Sequence, residues 1–278
     1  MFIFTQTHEL QRYLQQQKAQ SRNVGFVPTM GALHQGHIRL IDQSKRSCGI
    51  TVCSVFVNPT QFNQQSDFDH YPRLPEKDTA MLLAAGCDVL FMPDATEIYP
   101  DGIHTAQYDF GALTGTLEGF FRPGHFDGVI TVVKRLFEIV QPNYAFFGQK
   151  DFQQCMVVKK LITHFSMPVQ LQLVPTVRES DGLAMSSRNL RLNEKERADA
   201  VYIYTALQHV RTFIGKRPLA QVLHEAAEIA NTRLKTEYIA VVDATTFDPV
   251  NTDTYPTQGV ALAAAWCGNV RLIDNVLL

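Results

Sequence analysis

Val24-Gly25-Phe26-Val27-Pro28-Thr29-Met30-Gly31-Ala32-Leu33-His34-Gln35-Gly36-His37-Ile38-Arg39-Leu40-Ile41 passes from an apolar run, through a turn, into a helical repeat. Val24–Val27 reads as a buried strand and Ile38 onward as the first turns of a helix. A strand-to-helix turn of this kind offers backbone N–H groups and a positive helix end to a phosphate. His34 and His37 sit in that turn, with Gly31 and Gly36 beside them where backbone must approach a ligand. The alternatives are a capping histidine with a surface neighbour, or a zinc site. Zinc needs further ligands at compatible spacing, and none is evident.

Working outward, the chain repeats the same alternation. Thr51–Val57 is a second, nearly continuous apolar strand, which favours a parallel sheet covered on both faces. Asp88–Met92 is a third strand, Tyr144–Phe147 a fourth and Val169–Val174 a fifth. Between them the spacing predicts helices from Thr7 (as cap) to about Gln20, from the turn to about Cys48, from Pro75 to near Gly86, over Gly128–Val140, and from Asp151 to about Phe165. Asn58–Leu74 reads as a long polar loop, a length usually kept for function. The order is that of a Rossmann-like, doubly wound parallel sheet, whose ligands lie beyond the carboxyl ends of the strands. After Pro175 the pattern changes. Asn193 and Glu196 form a capping-box start to a long helix reaching about Ile214, and Pro218 to about Lys235 is a second helix. Tyr238–Asp243, Val260–Ala265 and Arg271–Ile273 are candidate strands. The expectation is α/β: a domain over 1–175 followed by a smaller α+β C-terminal domain over 176–278.

Composition narrows the class of partner. A net charge of −2 over 278 residues leaves no basic footprint for nucleic acid. Five cysteines without a CxxC pair read as buried free thiols of a reducing cytoplasm. The apolar run at the N-terminus is too short for a signal peptide, and no stretch reaches the roughly 20 apolar residues of a membrane span. The expectation is a cytoplasmic protein with no membrane partner.

Three further stretches carry chemistry. Asn58 and Gln61 lie just past the second strand and can hydrogen-bond a small polar substrate, although Asn-Pro is also a good turn. Gly148-Gln149-Lys150-Asp151, with Gln154 one turn later, puts a glycine and a point charge where a phosphate can approach. Asp151 can cap the helix, bind a ribose or hold a metal. Met185-Ser186-Ser187-Arg188 supplies two hydroxyls and a counter-charge able to close over a nucleotide. Gly-x-Gly-x-x-Gly after the first strand, Gly-Lys-Ser/Thr and Gly-x-Ser-x-Gly are all missing. What remains suits adenylation, in which a carboxylate attacks the α-phosphate of ATP.

Val27–His37, Val55–Phe62, Leu117–Gly119 with Arg122–Val129, Phe147–Asp151, Asp181–Asn189 and Arg271–Asn275 together resemble the pantothenate synthetase (pantoate–β-alanine ligase) family, in order and almost from end to end. His34-Gln35-Gly36-His37 and the Met-Ser-Ser-Arg loop also resemble the signatures of the wider nucleotidyltransferase class that includes class I aminoacyl-tRNA synthetases. The resemblance implies condensation of pantoate with β-alanine through a pantoyl adenylate, releasing pyrophosphate and AMP. It implies ATP contacts from Met30, Gly31, Ala32, Leu33, His34, Gln35, Gly36 and His37, from Gly148, Gln149, Lys150 and Asp151, and from Val177, Met185, Ser186, Ser187 and Arg188. Gln61 and Gln154 would hold pantoate, and Gln61 would also meet β-alanine. His37, the family's assigned proton donor, would with His34, Lys150 and Arg188 stabilise charge. Magnesium on the phosphates and a homodimer are further implications. The family usually has Glu where this chain has Gln149; a side chain pointing away from the site is the expectation there. Rival readings are another adenylate-forming nucleotidyltransferase acting on a different small carboxylic acid, and a non-catalytic nucleotide-binding protein.

Overall fold

The computed structural model describes residues 1–62, 65–250 and 258–278, the side chains of 65 and 66 excepted. The chain forms two compact units. One comprises Met1–Gly148 and Gln153–Pro175; the other comprises Gln149–Phe152 and Thr176–Leu278.

The first unit is built on a six-stranded, wholly parallel sheet of β1 (Phe2–Phe4), β2 (Val24–Thr29), β3 (Ile50–Val55), β4 (Val89–Phe91), β5 (Tyr144–Gly148) and β6 (Gln170–Val174). The order is β1-β4-β3-β2-β5-β6, so the winding reverses between β2 and β5, as in a doubly wound fold. The apolar character of the central strands is explained by burial: Val24, Phe26, Val27, Val52, Cys53, Val89, Leu90 and Phe91 are all fully buried. Helices Thr7–Ala19, Gln35–Ser47, Pro75–Ala84, His125–Val140 and Phe152–His164 complete the unit. Cys53 faces a core of Val27, Leu33, Leu40, Ile41, Leu82, Cys87, Leu90 and Phe146 and is packing rather than chemistry.

Several elements differ from the sequence expectation. Phe2–Phe4, too short for a periodicity to show, pairs with β4 and adds a sixth strand. Thr7 is the first helical residue rather than the cap, its N–H donating to Glu97 Oε2 at 2.8 Å. The expected loop 58–74 holds a 3-10 turn at Pro59–Gln61 and a short helix at Gln65–Asp69; Asn63 and Gln64 lie outside the described residues. The segment before Gly128 forms short helices at Ala95–Ile98, Ala112–Gly115 and Glu118–Phe121.

The second unit has an antiparallel sheet of β7 (Lys235–Asp243), β8 (Gly259–Cys267) and β9 (Val270–Leu277), in that order. Helices Tyr202–Phe213 and Leu219–Asn231 pack on the face bearing Val241, Ala261, Ala263, Ala265, Val270, Leu272 and Val276. The capping box at Asn193 and Glu196 is present, but the expected long helix is two, Glu194–Asp199 and Tyr202–Phe213. Among the described residues no helix is long and apolar enough to cross a membrane.

Candidate active site

The turn after β2 is closed by its own side chains together with one carboxylate from a distant helix. Gly31 and Ala32 both take positive φ, 80° and 50°, a sharp reversal that glycine makes cheap at the first position. Gly31 N–H donates to Thr29 Oγ1 at 3.2 Å. Ala32 and Leu33 N–H donate to the two carboxylate oxygens of Asp78, at 2.9 and 2.7 Å. Asp78 lies in the first turn of helix Pro75–Ala84, is 1% exposed, and points inward in phase with Leu82.

His34 then caps helix Gln35–Ser47. Its Nδ1 accepts the Gly36 N–H at 3.1 Å, and the His34 N–H donates to His37 Nδ1 at 3.3 Å, making a reciprocal capping box of two histidines. The ring centroids are 4.1 Å apart. Because both Nδ1 atoms accept from backbone N–H, a neutral ring at either position carries its proton on Nε2.

This revises what the turn offers. The N–H groups of Gly31, Ala32, Leu33, His34 and Gly36 are already engaged, and His37 N–H donates to His34 O at 2.9 Å. An anion here meets imidazole Nε2–H and the positive helix end rather than a nest of backbone amides.

At the end of β3 the structure separates two residues that the sequence treats alike. Asn58 is 1% exposed and fully occupied: its Oδ1 accepts from Tyr99 Oη at 2.9 Å and Thr60 N at 3.4 Å. Its Nδ2 donates to Thr60 Oγ1 at 2.8 Å, Gln61 Oε1 at 3.1 Å and the Gly128 carbonyl at 3.3 Å. Asn58 is therefore a support, and of the two Gln61 is the less buried. With its oxygen turned to Asn58, Gln61 presents its Nε2 donors. The Gln61 carbonyl accepts from His125 Nδ1 at 2.9 Å and Arg122 Nη2 at 3.4 Å. Gly128 permits this packing: a Cβ there would lie 2.1 Å from the Thr60 carbonyl oxygen.

After β5 the two adjacent glutamines also divide their work. Gln153 is buried and holds the Glu118 N–H and the Leu113 and Thr116 carbonyls. Gln154, the next residue, is partly exposed.

In the second unit, Lys150 Nζ lies 3.7 Å from Asp151 Oδ1, and the 3-10 turn Gln149–Asp151 hydrogen-bonds to Asn275 of β9. The Gln149 side chain donates through Nε2 to Asn275 Oδ1 at 3.4 Å. Val177–Met185 is a hairpin closed by Met185 N–H to the Val177 carbonyl at 3.0 Å, with Arg178 bridged to Ala184. Ser186 caps the following 3-10 turn by accepting the Arg188 N–H at 3.3 Å, and Ser187 is buried. Burial pushes the Asp274 carboxyl above the ordinary carboxylate range, while the Arg178 hydrogen bond pulls it back.

Asp78 and Tyr99 are supporting residues that sequence reasoning missed, and the supporting roles of Asn58, the Arg122–His125 pair and Asn275 were not visible in it either. The readable trace of Asp78 is a carboxylate in phase with a helix's apolar stripe.

A pantoate-beta-alanine ligase family model matches residues 2–277. A pantothenate synthetase of Porphyromonas gingivalis is 42% identical over 278 residues, covering 99% of each chain. One from Herpetosiphon aurantiacus is 43% identical over 266 residues, 94% of this chain and 95% of that one. The crystal structure of pantothenate synthetase from Thermus thermophilus superposes with a TM-score of 0.93 at 41% identity, covering 99% of each chain. That of the Francisella tularensis pantoate-beta-alanine ligase, complexed with beta-gamma ATP and beta-alanine, gives 0.84 at 35% identity, covering 100% of this chain and 97% of that one.

Proposed function

This chain belongs to the pantoate–β-alanine ligase family, and we propose that it forms pantothenate through a pantoyl adenylate. A pantoate carboxylate oxygen attacks the α-phosphorus of ATP, the bond to the β-phosphate oxygen breaks, and pyrophosphate leaves. The amine of β-alanine then attacks the acyl carbon of the mixed anhydride, loses a proton, and expels AMP.

The observation that carries this reading is the His34–His37 pair. Two Nε2–H groups at the positive end of a helix, on the central strand where the sheet reverses its winding, suit charge building on an α-phosphate. In this proposal Met30–His37, Gly148–Asp151, Val177 and Met185–Arg188 bind ATP, and Lys150 and Arg188 supply cationic charge. Gln61 and Gln154 hold pantoate, and the Nε2 donors of Gln61 also meet the carboxylate of β-alanine. The domain over 176–278 is proposed to carry the loop that closes on the nucleotide and protects the anhydride from water. An activated acyl group needs no strong base, so His37 is assigned charge stabilisation.

ATP is proposed to arrive as its magnesium complex. The metal is assigned to the phosphates, as the family resemblance implies, and the half-exposed Asp151 is the carboxylate of the Lys150 turn. A cytoplasmic homodimer is proposed from the family resemblance. The experiment is product analysis: pantothenate and AMP in equal amounts, dependent on both acids, support the reading. ADP with inorganic phosphate would overturn it.

A further inference from the structure

The second unit buries a polar cluster where an apolar strand would suffice. Asp274 interrupts the stripe Val270, Leu272 and Val276, which packs against the helices, and its side chain is 0% exposed. It accepts from Arg178 Nη1 at 2.6 Å and Nη2 at 3.0 Å. Arg178 Nη2 also donates to the Asn275 carbonyl at 2.9 Å and Nη1 to the Gly182 carbonyl at 3.0 Å, and the guanidinium lies 4.0 Å from the centre of the Tyr204 ring. Asn275 is 1% exposed. Its N–H donates to Asp274 Oδ1 at 2.8 Å, and its Nδ2 donates to the Gln149 and Lys150 carbonyls, each at 2.8 Å.

A buried ion pair of this kind adds little stability over well-packed apolar residues. What it adds here is geometry. One cluster grips the peptide carbonyls on either side of Lys150 and the hairpin from which Met185–Arg188 issues. We propose that Asn275, held by Asp274 and Arg178, is a positioning residue that fixes the Lys150 turn in one frame with the Met185–Arg188 loop. This rests on the nucleotide role assigned to Lys150 and Arg188.

The test is a double-mutant cycle on the full chain with Lys150→Ala, Asn275→Ala and both, read by pantoate-dependent exchange of pyrophosphate into ATP. Asn275→Ala is expected to lower kcat/KM for ATP by about 10²-fold, the usual cost of misplacing a catalytic group by an ångström. It should leave KM for pantoate unchanged. In the Lys150→Ala background it should cost less than about twofold more. A loss that persists in that background, or falls equally on pantoate, would overturn positioning through Lys150. A near-normal Asn275→Ala beside a crippled Lys150→Ala would overturn this inference alone. A normal Lys150→Ala would overturn the nucleotide role of Lys150 and this inference with it. If Asn275→Ala does not fold, Asn275→Ser, which keeps one hydroxyl donor, goes through the same cycle with the same criteria and an intermediate expected loss.

Discussion

The turn bearing His34 and His37 and the turn bearing Lys150 both follow a parallel strand, yet they are held in opposite ways. In the first, Thr29, His34 and His37 close the backbone on itself, and Asp78, 45 residues on from Leu33, is the outside support. In the second the support is Asn275, 125 residues from Lys150, itself fixed by Arg178 and Asp274. A self-closing turn writes its geometry into a short stretch. A remotely held turn spreads it over the chain, where local reading does not reach.

That contrast is open to attack by substitution. His37→Ala removes an Nε2–H donor and one half of the capping box together. It should lower kcat by about 10²–10³-fold, the cost of losing one preorganised donor. Steady-state kinetics at saturating substrates would check this, and normal turnover would remove His37 from the chemistry. Asp78→Ala should come next, with activity about 10²-fold lower through misplacement of the turn. It should also destabilise by about 1–3 kcal/mol for each stranded N–H, seen as a fall in Tm. Asp78→Asn, which keeps one acceptor, should lie between. If Asp78→Ala is as stable and active as the parent, the turn needs no outside support.

A Gln149→Glu variant should change little. The carboxylate faces Asn275 Oδ1 but is exposed enough to swing into water, so the cost should stay within about 0.5 kcal/mol in stability or in kcat/KM. A large effect would show that the Lys150 turn depends on its side chain as well as its backbone. The last effect belongs to the hairpin and is confined to stability. The Arg197 hydrogen bond holds the Asp181 carboxyl below the ordinary carboxylate range. A depressed value means the contribution is present above about pH 4 and lost as pH falls through the folded-state value. The pair is partly exposed, so Arg197→Ala should cost below about 1 kcal/mol at neutral pH and nothing in strong acid. Tm measured against pH separates these.

The sheet and the histidine turn were legible because their signals are local: continuous apolar runs, glycines, and a His pair on a strand-helix junction. The ends of elements were not. Phe2–Phe4 gains strand character only from β4 beside it, and Asp274 and Asn275 look like the end of a strand until Arg178, 96 residues from Asp274, is placed against them. Asn58 reads equally as a ligand or as a turn residue because an amide's hydrogen-bond partners, Tyr99 and Gly128 here, are invisible in sequence. The residue type showed in each case. Whether its polar atoms faced substrate or the fold did not.

The most direct measurement is exchange of labelled pyrophosphate into ATP by the parent protein, with pantoate and without β-alanine. Exchange that requires pantoate and stops when it is withheld is the expected result. A folded protein that makes pantothenate when β-alanine is added, yet shows no exchange in its absence, would contradict formation of the adenylate before the amine arrives.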